Sequence, residues 1–151
     1  MRTLAIVLIV GGLLLEARRA SAEPPKPQPP REITFDTIKF PMEKGDNFKR
    51  SMITDDIEKL GGKRVRIRGY ILPSFQQSGI TQFVLVRDNM ECCFGPGAAL
   101  YDCVVVEMVP GASTNFTVRP VAVEGVFEVR EFLDPDGKPL AIYHLDGDKV
   151  E

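Results

Sequence analysis

The chain has 151 residues, 44% of them hydrophobic and 26% charged, which is the composition of one globular domain. Its 19 basic and 21 acidic side chains give a formal net charge of −2, so it lacks the positive charge typical of nucleic-acid binding. A single histidine excludes sites that need two histidines from one subunit. With no tryptophan and only three tyrosines, an aromatic platform for stacking bases is not expected either.

The first 22 residues have the pattern of a secretory signal peptide. Arg2 supplies a positive charge, the uncharged run Leu4 to Leu15 follows, and Ala20-Ser21-Ala22 fits the small-residue cleavage pattern. The run is shorter than the about 20 apolar residues that cross a bilayer, so no transmembrane span is predicted in the mature chain. We therefore expect export to the periplasm or cell envelope. Retention of the segment as an uncleaved anchor is the alternative.

Residues 23–32 are predicted to be a proline-rich leader or linker, because five of the 12 prolines lie in this short stretch. The folded domain is then expected to be a single unit spanning 33–151. It opens with a short apolar segment at Ile33, predicted as a strand or docking arm. Thr54 is placed to cap one short helix, which Gly61-Gly62 would end.

Strand patterns dominate the remainder of the chain. From Val65 to Ile71, apolar residues alternate with basic ones, which is the period of a half-buried strand. Asp134-Pro135-Asp136-Gly137 is a strong turn pattern between the last two strands. The predicted strands are 65–71, 83–86, 103–109, 121–130 and 140–145.

Two of these strands carry a glycine at the middle, Gly69 in the first and Gly125 in the fourth. A glycine in such a position marks a bend, a bulge or a close approach of two backbones. Five strands with these features predict a mainly β fold, a small five-stranded OB-like barrel with one short N-terminal helix. An open barrel or a sandwich is the alternative, because no helix is predicted between the third and fourth strands.

Several segments resemble the domain-of-unknown-function family 3299 of exported bacterial proteins. The resemblance rests on Gly62 to Pro73, Gln82 to Val86 and Val121 to Val129. The loop Cys92-Cys93-Phe94-Gly95-Pro96-Gly97 is similar to a branch from planctomycete-like bacteria. The resemblance implies a periplasmic protein, encoded in some cases beside ABC-type export or metal-uptake systems, with an envelope protein or transporter as partner. This chain lacks the histidine and proline run that many members have after the loop cysteine.

Cys92, Cys93 and Cys103 carry the only unusual chemistry of the predicted domain. Thiols pair in an oxidising compartment, so the first interpretation is a structural disulfide between Cys103 and either Cys92 or Cys93. The second is a zinc or copper site formed by the three cysteines and His144, although adjacent cysteines are poor zinc spacing. The third is a thiol-redox protein, for which the expected Cys-x-x-Cys motif is missing.

The other candidate site is a basic stripe of Arg64, Arg66 and Arg68 along the first strand. It could bind an anion or a partner surface, with a solvated strand face as the simpler interpretation. No catalytic triad, phosphate loop or dinucleotide motif is visible, which favours a non-enzymatic protein. We therefore predict an exported binding or accessory module of the cell envelope, with an unknown ligand and no cofactor. A periplasmic metal-binding protein and a thiol-redox protein are the alternatives.

Overall fold

The computed structural model describes residues 29–42, 46–88 and 99–151. Within these residues the architecture is mainly β, a six-stranded mixed sheet with few helices. The helical segments are α1 (Asp55–Glu58) and two 3-10 turns, Arg50–Met52 and Leu100–Asp102. The strands are β1 (Arg31–Ile33), β2 (Lys63–Ile71), β3 (Gln82–Val86), β4 (Cys103–Met108), β5 (Val121–Leu133) and β6 (Pro139–Val150).

Each of the five predicted strands has a counterpart among β2 to β6, and the last two are longer than predicted. The predicted count is one strand short, because the segment ending at Ile33 pairs in parallel with β2. Thr54 does precede α1, but it makes no side-chain capping hydrogen bond and the helix is a single turn. No helix in the described part of the chain is long and apolar enough to span a membrane. The predicted signal segment 1–22 lies outside the described residues.

The sheet has the order β1-β2-β3-β4-β6-β5, and β5 pairs a second time, with β2. The β2–β5 pairing is antiparallel over seven residue pairs, from Lys63 opposite Phe127 to Gly69 opposite Val121. The β1–β2 and β4–β6 pairings are parallel and the others are antiparallel. Because β5 returns to β2, the inward faces of the strands share one core.

The core is formed by alternate residues of the strands together with the segment that follows β1. Val65 and Ile67 of β2 are buried, as the period-two pattern predicts, while the arginines that alternate with them point outward. Ile38, after β1, is fully buried, and its carbonyl oxygen accepts a hydrogen bond of 2.6 Å from the Tyr143 hydroxyl. Burial raises the pKa of Tyr143, so the hydroxyl stays a donor. This bond ties the segment after β1 to β6.

Gly69 and Gly125 stand where two backbones come too close for any side chain. A Cβ at Gly69 would lie 2.6 Å from the carbonyl oxygen of Val86, and one at Gly125 would lie 2.2 Å from that of Asp146. The β5–β6 register also shifts directly before Gly125. Of the bend, bulge or close approach predicted from the two mid-strand glycines, the structure shows a close approach at both and a register shift at Gly125.

We expect Gly125→Ala to lower the free energy of unfolding by about 1–3 kcal/mol, because the new methyl group must push β6 away from β5. Urea unfolding followed by circular dichroism measures the loss. Val118→Ala, at a side chain that is 73% exposed, is the control and should change stability by less than about 0.5 kcal/mol. Equal stability of Gly125→Ala and the wild type would contradict this account of the strand contact.

Candidate functional site

A groove with a volume of about 490 Å³ lies on the outer face of β3 and β4. Val84 and Val105 form its floor, and Leu72, Phe132 and Leu140 form its walls. The lining also contains Cys103, and its polar side chains are only Ser74 and Gln82 among the described residues. This volume and this apolar character are typical of small-molecule sites.

The strand pattern explains why the floor of the groove is apolar. Val104 and Val106 of β4 point into the core, so Cys103 and Val105 face outward. Val84 pairs with Val105 and faces the same side of the sheet. The outer face of these two strands is thus apolar around Val84 and Val105, whereas the outer face of β2 carries arginines.

The far wall of the groove belongs to the hairpin that joins β5 and β6. The β5–β6 register shifts on both sides of Phe132, which lines the groove with Leu140. The turn beyond is held by Asp134, whose Oδ1 accepts hydrogen bonds of 2.9 and 2.8 Å from the backbone N–H groups of Asp136 and Lys138. The turn predicted at this position is confirmed.

Large apolar side chains are exposed around the groove. Leu140, in the lining, is 63% exposed, and Phe75, which follows Ser74 of the lining in the β2–β3 connection, is fully exposed. Exposed apolar side chains that gather beside a concave apolar surface mark sites of interaction. The groove is therefore the candidate binding site of the described chain.

His144 lies beside this groove, on β6, opposite Val105 in the register. It is fully buried, and neither ring nitrogen has a hydrogen-bond partner within the described residues. Its Nε2 is 3.5 Å from Glu107 Oε2, and its Nδ1 is 3.6 Å from Asp146 Oδ1. The Phe132 ring covers the imidazole at a centroid distance of 5.7 Å. The alternation of residues along β6 does not predict that His144 is buried, since an outward position on a strand is usually polar and solvated.

The four candidate metal ligands of the sequence analysis are only partly described. Cys103 and His144 lie on the same face of the neighbouring strands β4 and β6. Cys92 and Cys93 lie outside the described residues, and so do the predicted disulfide and the four-ligand set. In the described ranges, no three His, Cys, Asp or Glu side chains form a group that could hold a metal.

An ion-paired cluster joins Arg87 and Asp102, which lie on either side of the segment 89–98 in the sequence. Arg87 precedes the loop and donates through Nε to Asp102 Oδ1 at 2.5 Å, while its Nη1 donates to Asp36 Oδ1 at 2.7 Å. Asp102 is buried, and its backbone oxygen accepts a second bond, of 3.1 Å, from the Arg87 N–H. The hydrogen bond and the charge of Arg87 lower the pKa of Asp36. The cluster fixes the start of β4, and with it one wall residue of the groove, Cys103.

The basic stripe is largely neutralised by carboxylates from neighbouring strands. Two of its three arginines are ion-paired and about one third exposed, whereas Arg68 is exposed. The hydrogen bond to Asp148 raises the pKa of Arg64, so this pair is charged at neutral pH. At Arg64 and Arg66, the stripe is therefore part of an intramolecular ion-pair network. The partners are Glu124 and Asp148 for Arg64, and Glu32, Glu124 and Glu151 for Arg66.

The fold and the groove together define a small, mainly β domain with an apolar concave surface. The chain belongs to the family described as proteins of unknown function, DUF3299, whose model matches residues 24–151. It is similar to the crystal structure of a DUF3299 family protein from Pseudomonas aeruginosa PAO1, with 20% sequence identity and a TM-score of 0.60. The match covers 82% of this chain and 95% of that chain, and at this identity it shows the fold alone. None of the curated proteins compared with the chain matches it.

We expect Asp102→Asn to lower the free energy of unfolding by about 1–3 kcal/mol, because it leaves a partly buried guanidinium with a weaker partner. Asp36→Asn removes the other partner of the same arginine and is the matched control. Its loss should be smaller, since the Asp36 side chain is 77% exposed. The contribution of Asp36 is present above the ordinary carboxyl pKa and is lost as pH falls through its lowered value. Urea unfolding at neutral and acidic pH measures both, and equal losses would contradict the assignment.

Proposed function

We propose that this chain is a non-enzymatic, exported binding module of the cell envelope that holds a small molecule with an apolar stem in the groove. The observation that carries the proposal is the groove itself, with its apolar floor of Val84 and Val105. Burial of apolar ligand surface on such a floor contributes about 25 cal/mol per Å². Mainly aliphatic and aromatic linings of this kind take apolar ligands.

The pairing of the strands supports the proposed OB-like barrel, and in such a barrel the groove would lie where the fold takes ligands. β2, β3, β4, β6 and β5 pair in a closed order, with β1 added beside β2. If β2 is counted as the first barrel strand, the groove lies on the second and third strands. It also lies between the first connection, which contains Ser74, and the last hairpin. OB folds bind ligands on this face and between these two loops.

The chemistry of the lining selects the ligand class within that fold. Oligonucleotide sites need lysine or arginine side chains for the phosphates, and none lines the groove in the described part of the chain. The lining offers aliphatic side chains and two aromatic rings, Phe83 and Phe132, and Phe75 is exposed nearby. An alkyl or other apolar stem matches these surfaces.

The N-terminal segments support a location in the envelope. We propose that residues 1–22 direct export and that the proline-rich residues 23–30 act as a semi-rigid spacer, because Arg31 and Glu32 of the predicted linker 23–32 belong to β1. An envelope protein or a transporter would then deliver the bound molecule or receive it. The metal-binding and thiol-redox alternatives depend on Cys92 and Cys93, which lie outside the described residues.

We expect the protein to bind the neutral fluorescent probe phenylnaphthylamine saturably, because the probe is apolar and fits an open apolar groove. Leu140→Asp should weaken binding by about tenfold or more, since it removes a wall residue and places a charge in the apolar site. Leu133→Asp is the matched control, because Leu133 is a similarly exposed leucine of the same hairpin outside the lining. Fluorescence titration measures both affinities.

Equal weakening by the two leucine variants would show that the probe binds a diffuse apolar surface and would contradict the assignment of the groove. Absence of saturable binding to the wild type would contradict the proposed function altogether.

A further inference from the structure

Three carboxylates from three strands surround His144 on the outer face of the sheet. Glu107 comes from β4, Glu128 from β5 and Asp146 from β6, and we name these three residues the acidic patch. Glu128 is the register partner of His144 across β5 and β6. Glu107 and Asp146 face opposite nitrogens of the imidazole, at 3.5 and 3.6 Å. The histidine therefore points into the patch with both ring nitrogens.

The buried imidazole is the unusual member of this group. A buried polar atom without a hydrogen bond is unfavourable, so such atoms mark places where a ligand or another group completes the bonding. His144 is fully buried, with two such nitrogens. The carboxylates beside it are about half exposed and can move. A ligand group with hydrogen-bond donors would satisfy both kinds of acceptor.

The acidic patch adjoins the groove on the same face of the sheet. Glu107 pairs with Gln82, and His144 pairs with Val105, and both partners line the groove. Phe132 lines the groove and also covers the imidazole. One end of the apolar groove thus leads directly to the acidic patch.

The patch carries more negative than positive charge. Arg130 is its one cationic neighbour among the described residues, with nitrogens 4.0 Å from both Glu107 and Glu128. Its guanidinium carbon lies 5.1 Å from the centroid of the Phe132 ring. The protein's own side chain shows that a cation fits beside this ring and between these carboxylates. No lysine or arginine nitrogen of the described chain lies within 4.0 Å of Asp146, so negative charge remains uncompensated.

We propose that the ligand of the groove is a cationic amphiphile, an alkylammonium whose apolar stem lies in the groove and whose head group lies at the acidic patch. The ammonium donates hydrogen bonds to Glu107 and to His144 Nε2, while Asp146 and Glu128 add attraction at longer range. This inference rests on the proposed function and adds the chemical class of the ligand. An anionic head group, such as a carboxylate or phosphate, is excluded by like charge.

Three probes with the same stem and different head groups test the proposal: octylamine, octanol and octanoate. Isothermal titration calorimetry at pH 7.5 and low salt measures the affinity of each for the full chain. We expect octylamine to bind about fivefold or more tightly than octanol, and octanoate to bind more weakly than octanol, with the amine preference reduced by added salt.

Charge-removing variants locate the head group. Glu107→Gln should remove most of the preference for octylamine over octanol, and Asp146→Asn should remove a smaller part. Arg130→Gln should increase the preference, because it removes the competing cation. Asp56→Asn on α1 is the control, since its carboxylate is 90% exposed and its salt bridge is to Lys59. Both target carboxylates are about half exposed, so the variants should fold.

The single histidine gives an independent spectroscopic readout. Octylamine should shift the imidazole ¹⁵N signals of His144, whereas octanoate at the same concentration should not. Equal binding of all three probes, or tightest binding of octanoate, would overturn the cationic head group and leave the groove as a binding site. If none of the probes binds, the proposed function and this inference both fail.

Discussion

The antiparallel pairing of β2 with β5 is the contact on which the remaining structure depends. Without it, β5 would pair only with β6, and the inward faces of the strands would not share a core. Each of the two strands also needs one glycine for its other neighbour, because Gly125 of β5 lies against the backbone of β6 and Gly69 of β2 lies against the backbone of β3. Glycine weakens an ordinary strand, but here it permits the close packing of β2 against β3 and of β5 against β6.

This arrangement gives the sheet two different outer faces. On β2 and β5 the outward residues are charged, and Arg64, Arg66 and Glu124 neutralise one another. On β3 and β4 the outward residues at the groove are apolar, with Val84 and Val105 as its floor, and Gln82 and Glu107 follow at one end. The first face lends itself to intramolecular ion pairs, which contribute modestly to stability. The second leaves apolar area that a ligand can cover.

The sequence predicts the strands well because local alternation determines them. For Val65 to Ile71, the alternating pattern alone predicts both that the segment is a strand and which of its residues face the core. β1 is harder to predict, since its three residues form a strand only through parallel pairing with β2, a contact distant in sequence. The groove was not predicted for the same reason: its walls come from separate parts of the chain, since Leu72 follows β2 and Leu140 belongs to β6. Spacing arguments named His144 as a possible ligand residue but could not show that it is buried beneath Phe132.

The proposed binding site is the groove, which has an apolar floor, an exposed rim and the buried imidazole of His144 at one end. The most direct test is a map of backbone amide NMR shifts during titration of the full chain with octanol. The account predicts that the shifts concentrate on β3, β4 and the β5–β6 hairpin, around Val84, Val105 and Leu140. Shifts centred on the arginine face of β2, or none at saturating octanol, would contradict it.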